Sequence, residues 1–177
     1  ITASPFLIRH PELIQIDEFK LSKSNTWDLT ELAIHRLKEK FFVPGESRPL
    51  QNVHLVISGD ATGQKSDTTN QDPHFNNFTI IQQLFSKAGI QYYMDLEKTN
   101  PLVQPRVAWV NNLCEKKYFK ILSHCVDSRK DMRMVKRKSG IVEFKKDKSN
   151  INLSHFSDII DYACVTARRM GAFPVHE

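Results

Sequence analysis

Two short stretches of the chain carry residues suited to chemistry on phosphate esters. In the first, a short apolar run ends in a glycine and Asp60 follows directly. In the second, His155 and Asp158 stand about one helical turn apart near the start of an amphipathic segment. Hard divalent cations prefer carboxylate ligands, and two-metal sites commonly hydrolyse phosphodiesters. Together with a basic segment that could hold a phosphate backbone, these residue types favour a metal-dependent nuclease, with His155 as a supplementary ligand or acid–base group.

Each of these residues also has a purely structural interpretation. Asp60 begins the sequence Asp-Ala-Thr-Gly, which suits a turn whose carboxylate accepts a hydrogen bond from its own backbone. Asp158 falls in the first turn of a predicted helix, where an acid stabilises the helix dipole. Asp161 is expected on the solvated face of that helix. The residue types alone leave the catalytic and structural interpretations open.

Positive charge is concentrated in one part of the chain. Residues 116–148 contain twelve Lys or Arg and four acids, whereas the whole chain has a net charge of +5. Such a segment favours a polyanion, although a solvated lysine-rich surface is the alternative. Within it, residues 132–137 and 141–144 flank a Lys-Ser-Gly turn, which predicts a basic β-hairpin. The residues expected to contact the DNA backbone are Lys65, Arg133, Lys136, Arg137 and Lys138.

The hydrophobic pattern predicts the elements that must position these groups. Strand patterns cover residues 6–8, 13–19, 55–57 and 90–94, and helical spacing covers residues 24–41, 75–88, 105–114 and 153–170. This order predicts an α/β fold with a mixed sheet flanked by helices and an added basic β-hairpin. A length of 177 residues fits one domain.

Composition predicts which compartment and which kinds of partner suit the protein. No apolar run approaches the length of a membrane span, so no membrane partner is predicted. Cys114, Cys125 and Cys164 are far apart in the chain and lie among apolar neighbours. This pattern is typical of buried free thiols in a reducing compartment.

Four stretches, in order, match a known family over nearly the whole chain. They are Ile16-Asp-Glu-Phe19 with Asn25-Thr26, Gly59-Asp60-Ala-Thr-Gly63, Asn100-Pro101 with Arg106 and Val110-Asn111, and Leu153-Ser-His-Phe-Ser-Asp158 with Tyr162. In these stretches the chain resembles the C-terminal nuclease domain of the tailed-bacteriophage terminase large subunit, a domain with an RNase H-like fold.

The resemblance implies a two-metal endonuclease that uses Mg²⁺ or Mn²⁺ to cut concatemeric double-stranded DNA during viral genome packaging. It implies that Asp60 and Asp158 are catalytic metal ligands and that His155 lies near the metals. The implied partners, besides DNA, are the terminase ATPase domain, the small terminase subunit and the portal. The implied location is the cytoplasm of the bacterial host, at the procapsid.

The chain departs from the family pattern at its beginning. The family carries its first catalytic acid on the first strand, whereas no acid precedes Glu12 here. We expect this acid and the ATPase domain to lie upstream of Ile1, so that residues 1–177 form a single nuclease domain lacking part of its first strand. The alternative is that this protein has lost the first metal ligand. The alternatives are a non-catalytic RNase H-like module that binds DNA or docks on motor or portal partners, and another RNase H-like nuclease such as a junction resolvase.

Overall fold

The computed structural model describes residues 2–46, 50, 53–65, 76–136 and 155–174 of the chain. The chain divides into two compact units. The first unit is formed by Phe19–Asn100, and the second unit by Thr2–Glu18 together with Pro101–Glu177. Both units contain helices and strands, which confirms the α/β class.

The described elements, in chain order, are the strands β1 (Thr2–Ala3), β2 (Phe6–Arg9), β3 (Glu12–Gln15) and β4 (Phe19–Lys20), helix α1 (Thr26–Phe41), strand β5 (Val56–Ser58), a 3-10 helix (Ala61–Gln64), helix α2 (Asn77–Lys87), strand β6 (Tyr93–Asp95), helix α3 (Val103–Glu115), strand β7 (Phe119–Ile121), and helices α4 (Val126–Met134) and α5 (His155–Arg169).

In the first unit, two packed helices accompany a parallel pair of strands. Strands β5 and β6 run parallel, with Ser58 opposite Asp95. Asn25 caps α1 by accepting a hydrogen bond from the backbone N–H of Asp28. Helices α1 and α2 pack together, and their apolar faces meet a core whose buried members are Phe42, Phe85 and Ile90.

In the second unit, a mixed sheet packs with helices around a larger core. Strand β2 pairs antiparallel with β3, at the strand patterns predicted over residues 6–8 and 13–19, and β3 pairs parallel with β7. The strand β3 ends at Gln15, so the second pattern is a strand only in its first part. Helix α5 packs against both α3 and α4. The buried core residues are Leu13, Val110, Leu113, Phe119, Ile160, Cys164, Ala167, Ala172 and Phe173.

The predicted first strand of the basic hairpin is wrong, because residues 132–134 belong to helix α4. The alternation of Met and basic residues resembles a strand, but contacts from distant parts of the chain stabilise a helix. The Glu18 carboxylate accepts hydrogen bonds from the first-turn N–H groups of Asp127 and Ser128, at 2.9 and 2.8 Å. Ser128 and Asp131, three residues apart, are both buried on one helical face. The rest of the predicted hairpin, residues 137–144, lies outside the described residues.

Two predictions of burial are also wrong. Asp161, expected in solvent, is only 2% exposed, because Ser157, Asp161 and Cys164 form a second buried stripe on α5 with helical spacing. Cys114 is exposed near the end of α3, whereas Cys125 and Cys164 are buried as expected. Among the helices that the structure describes, none has the combination of length and apolar character needed to cross a membrane.

Candidate functional site

Asp60 lies just beyond the carboxyl end of β5 and caps the 3-10 helix that follows. Its Oδ1 accepts a hydrogen bond from the Thr62 N–H at 2.7 Å, and its backbone carbonyl accepts one from the Gly63 N–H at 2.9 Å. The side chain itself is exposed. Asp60 therefore has the turn-forming role that Asp-Ala-Thr-Gly predicts, while its carboxylate stays at the surface beyond the end of a strand.

Asn100 holds the Asp60 carboxylate from a second direction. Its Nδ2 donates to Asp60 Oδ1 at 2.7 Å, and its Oδ1 accepts from the Ala61 N–H at 2.8 Å. The amide thus bridges the carboxylate and the turn, so that the Asp60 side chain is oriented before any ligand arrives. The sequence analysis places Asn100 in one of the four stretches that match the family, but it assigned this residue no role. The available signal was its position shortly after β6, because parallel strands end at the same edge of a sheet.

Phe78 explains why glycines flank Asp60. A Cβ atom at Gly63 would lie 2.8 Å from Cε2 of the Phe78 ring, and one at Gly59 would lie 3.2 Å from its Cζ. Phe78 is buried in the first turn of α2. The close approach of this aromatic ring therefore favours glycine strongly at position 63 and less strongly at position 59, and the ring packs the Asp60 turn against α2.

Lys65 ends the same turn. Its backbone N–H donates to the Thr62 carbonyl at 3.1 Å, and its side chain is exposed. The neighbouring Gln64 side chain donates to the Glu97 carbonyl at 2.5 Å, which fastens the end of the 3-10 helix to the segment after β6. The ammonium group of Lys65 is thus carried by an anchored backbone five residues after Asp60.

The second group of candidate residues lies in the first turn of α5. His155 is its first residue and is exposed, and Asp158 follows three residues later and is half-buried. The spacing places the two side chains on neighbouring positions of one helical face. The N–H groups of Phe156 and Ser157 donate to Asp131 Oδ2 at 2.9 and 3.3 Å, so a buried carboxylate of α4 caps this turn.

A buried arginine stacks on α5 one turn after Asp158. The Arg106 guanidinium carbon lies 4.5 Å from the centroid of the Tyr162 ring, and Arg106 is only 5% exposed. A cation over an aromatic face is attracted by the ring quadrupole, more strongly where water is excluded. This contact joins α3 to the face of α5 that carries Asp158.

Cys164, on the buried side of α5, has a thiol with a raised pKa. Burial, and after it the negative charge of Asp161, raises the pKa of Cys164 well above its usual value. Cys164 is fully buried in the core of the second unit, and its backbone carbonyl accepts the indole N–H of Trp109 at 3.2 Å. The thiol is therefore neutral at ordinary pH and belongs to the packing of α5 rather than to nucleophilic chemistry.

Basic residues on and beyond α4 are exposed. Arg133 lies in its last turn, and Lys136 follows two residues after the helix. Lys130 is also exposed, one turn before Arg133, and the sequence interpretation overlooked it because its helical spacing was not recognised. Arg137 and Lys138 lie outside the described residues.

The candidate ligands belong to different units: Asp60 to the first, His155 and Asp158 to the second. In the part of the chain that the structure describes, no group of three or more His, Cys, Asp or Glu residues that could hold a metal is found. The donor chemistry nonetheless suits Mg²⁺ or Mn²⁺, since these ions prefer carboxylate oxygens and Mn²⁺ also accepts imidazole.

Comparison with known proteins returned no matching protein family, curated protein or solved structure.

Proposed function

We propose that the chain is the nuclease domain of a viral packaging terminase, with an RNase H-like fold, and that it cleaves double-stranded DNA with two divalent metal ions. In this proposal Asp60 and Asp158 bind Mg²⁺ or Mn²⁺, and His155 is a further ligand or proton carrier. The domain would act beside a terminase ATPase domain, a small terminase subunit and a portal, in the cytoplasm of a bacterial host at the procapsid.

The observation that supports the proposal best is the set of hydrogen bonds that orients the exposed Asp60 carboxylate. A carboxylate beyond the end of a parallel strand is held by Asn100 at 2.7 Å and by the Thr62 N–H at 2.7 Å, yet it stays exposed. Functional groups are effective when neighbouring residues fix their orientation, because no ordering is then needed when the ligand binds. A turn-forming Asp needs only its own backbone, so the additional side chain from beyond β6 favours a binding role.

The residues of the chain would divide the chemistry as follows. Bound divalent ions neutralise phosphate charge and lower the pKa of an attacking water. Asp60 and Asp158 would hold these ions through their carboxylate oxygens. His155, exposed on α5, would take or give a proton. Lys65, Arg133 and Lys136 would bind the phosphate backbone without reading base sequence.

The central test is plasmid cleavage by Asp60→Asn and Asp158→Asn variants. Each substitution removes a charged ligand while keeping the side-chain shape, so we expect loss of cleavage in Mn²⁺ and in Mg²⁺, with circular dichroism unchanged. Glu31→Gln is the matched control, because Glu31 is an exposed acid in the middle of α1. Cleavage at the unmutated rate by either Asp variant would exclude the proposed site.

The same assay separates the nuclease from a non-catalytic DNA-binding module. It is run on residues 1–177 and on an N-terminally extended form, each with Mn²⁺, Mg²⁺ or EDTA. A nuclease cuts in at least one form and stops in EDTA. DNA binding without cleavage in both forms would favour the module.

The proposed DNA contacts are tested by the salt dependence of binding. Each phosphate contact contributes about 0.9 to the slope of log affinity against log salt. Arg133→Gln with Lys136→Gln should therefore lower the slope by about 2 for a short duplex followed by fluorescence anisotropy. Lys87→Gln, at the end of α2, provides a control in the other unit. An unchanged slope in the double variant would remove these two residues from the interface.

A further inference from the structure

Asp131 connects the basic helix α4 to the turn of α5 that carries His155 and Asp158. Its side chain is only 3% exposed, and Oδ2 accepts the N–H groups of Phe156 and Ser157 at 2.9 and 3.3 Å. These two amides lie between the two candidate ligands in the chain. The placement of both ligands therefore depends on a residue that precedes them by more than twenty positions.

The contact is strong for physical reasons. An anion at a helix N-terminus is stabilised by the dipole and by otherwise unpaired N–H groups, and hydrogen bonds to charged groups exceed neutral ones in strength. Loss of the carboxylate would leave buried N–H groups without an acceptor, which is costly. The other end of α4 is held by Glu18, whose carboxylate caps its first turn. Carboxylates thus fix both the start of α4 and the start of α5.

We propose that Asp131 is the positioning residue for His155 and Asp158. It does not touch the metal or the DNA; it holds the first turn of α5 in the orientation from which the two side chains bind a divalent ion. The inference relies on the proposed function for the identity of the ion. Because α4 also exposes Lys130 and Arg133, the same residue joins the DNA-contacting helix to the metal-binding turn.

The test compares Asp131→Ala with Asp131→Asn in the full chain, using Mn²⁺ as the probe in calorimetry. Asparagine retains a carbonyl that accepts the two N–H groups, so its Mn²⁺ affinity should stay within about threefold of the unmutated protein. Alanine removes the acceptor and should weaken Mn²⁺ binding about tenfold or more. Affinity for a short duplex without metal should change by less than about twofold in both, which a general loss of structure would not allow. Asp127→Asn, a charge loss on the same helix, is the control.

Unchanged Mn²⁺ affinity in a folded Asp131→Ala variant would overturn the proposal. A second measurement needs no variant: substoichiometric Mn²⁺ should broaden the amide NMR signals of Phe156 and Ser157 more strongly than that of Arg168, at the far end of α5, in the unmutated protein. Absence of this broadening would also overturn it. Broadening without DNA cleavage by either the 1–177 form or the extended form would argue against the nuclease and leave the positioning role standing. Cleavage with broadening elsewhere would support the nuclease and overturn the positioning role.

Discussion

Gly63→Ala tests how the turn around Asp60 is held. The new Cβ would lie 2.8 Å from Cε2 of Phe78, whereas carbon atoms in contact prefer about 3.5–4.0 Å. The shortfall is about 0.7 Å or more, against a ring that is buried in the first turn of α2. Either the ring or the turn must therefore move.

The expected magnitude follows from two opposing effects. Forcing an extra carbon into a packed site typically costs about 1–3 kcal/mol. Replacing glycine with alanine also restricts the unfolded chain, which returns about 0.4–1 kcal/mol. The free energy of unfolding should therefore fall by about 1–2 kcal/mol. Gly59→Ala is the graded control, because its Cβ would lie 3.2 Å from the same ring and should cost less.

The assay is urea unfolding of the single variants and of Gly63→Ala combined with Phe78→Leu. Leucine lacks the ring atoms that clash, so the double variant should recover about 1 kcal/mol relative to the sum of the single changes. Equal stability of Gly63→Ala and the unmutated protein would refute the steric reasoning. So would simple additivity with Phe78→Leu.

Two further predictions concern the second unit. Burial, and after it the charge of Asp161, raises the pKa of Cys164 well above its usual value. The contribution of this thiol to the free energy of unfolding is therefore complete below the unfolded-state pKa and is lost as the pH rises toward the folded-state pKa. Above about pH 9 the free energy of unfolding of the unmutated protein should fall by up to about 1.4 kcal/mol per pH unit more than that of Cys164→Ala. Urea unfolding at a series of pH values measures both, and parallel plots of this free energy against pH for the two proteins would contradict the prediction. Glu18→Gln should destabilise by about 1–2 kcal/mol in thermal unfolding, because both oxygens of the carboxylate cap the first turn of α4. Glu12→Gln, which breaks a surface ion pair with Lys120, should cost less than 1 kcal/mol, and an equal loss in both variants would argue against the cap.

Where the fold was predictable, the signal was local. Helix α1 begins at a capping asparagine and carries apolar residues at helical spacing, and both features lie within its own residues. Helix α4 was missed because it is strongly polar and has no apolar stripe. Its stabilising contacts include the Glu18 cap, from more than a hundred residues earlier, and the hydrogen bonds of Asp131 to the start of α5.

The candidate site also has a part that local sequence predicts and a part that depends on distant residues. The turn at Asp60 was predictable, because the carboxylate bonds to a backbone N–H only two residues later. The bridge from Asn100 was not, because the two residues are forty positions apart. The burial of Asp161 was likewise missed, since a single apolar stripe was assumed on a helix that packs against both α3 and α4.

By itself, the sequence determined the chemical groups of this protein, the concentration of basic charge, the α/β class and the local turn that presents Asp60. Only the tertiary structure decided which residues orient those groups: Asn100 and Phe78 around Asp60, and Asp131 around the first turn of α5. The physical reason is the separation along the chain over which each interaction acts. Hydrophobic periodicity, caps and turns act over a few residues, whereas carboxylate caps and close packing depend on which distant segments the fold brings together.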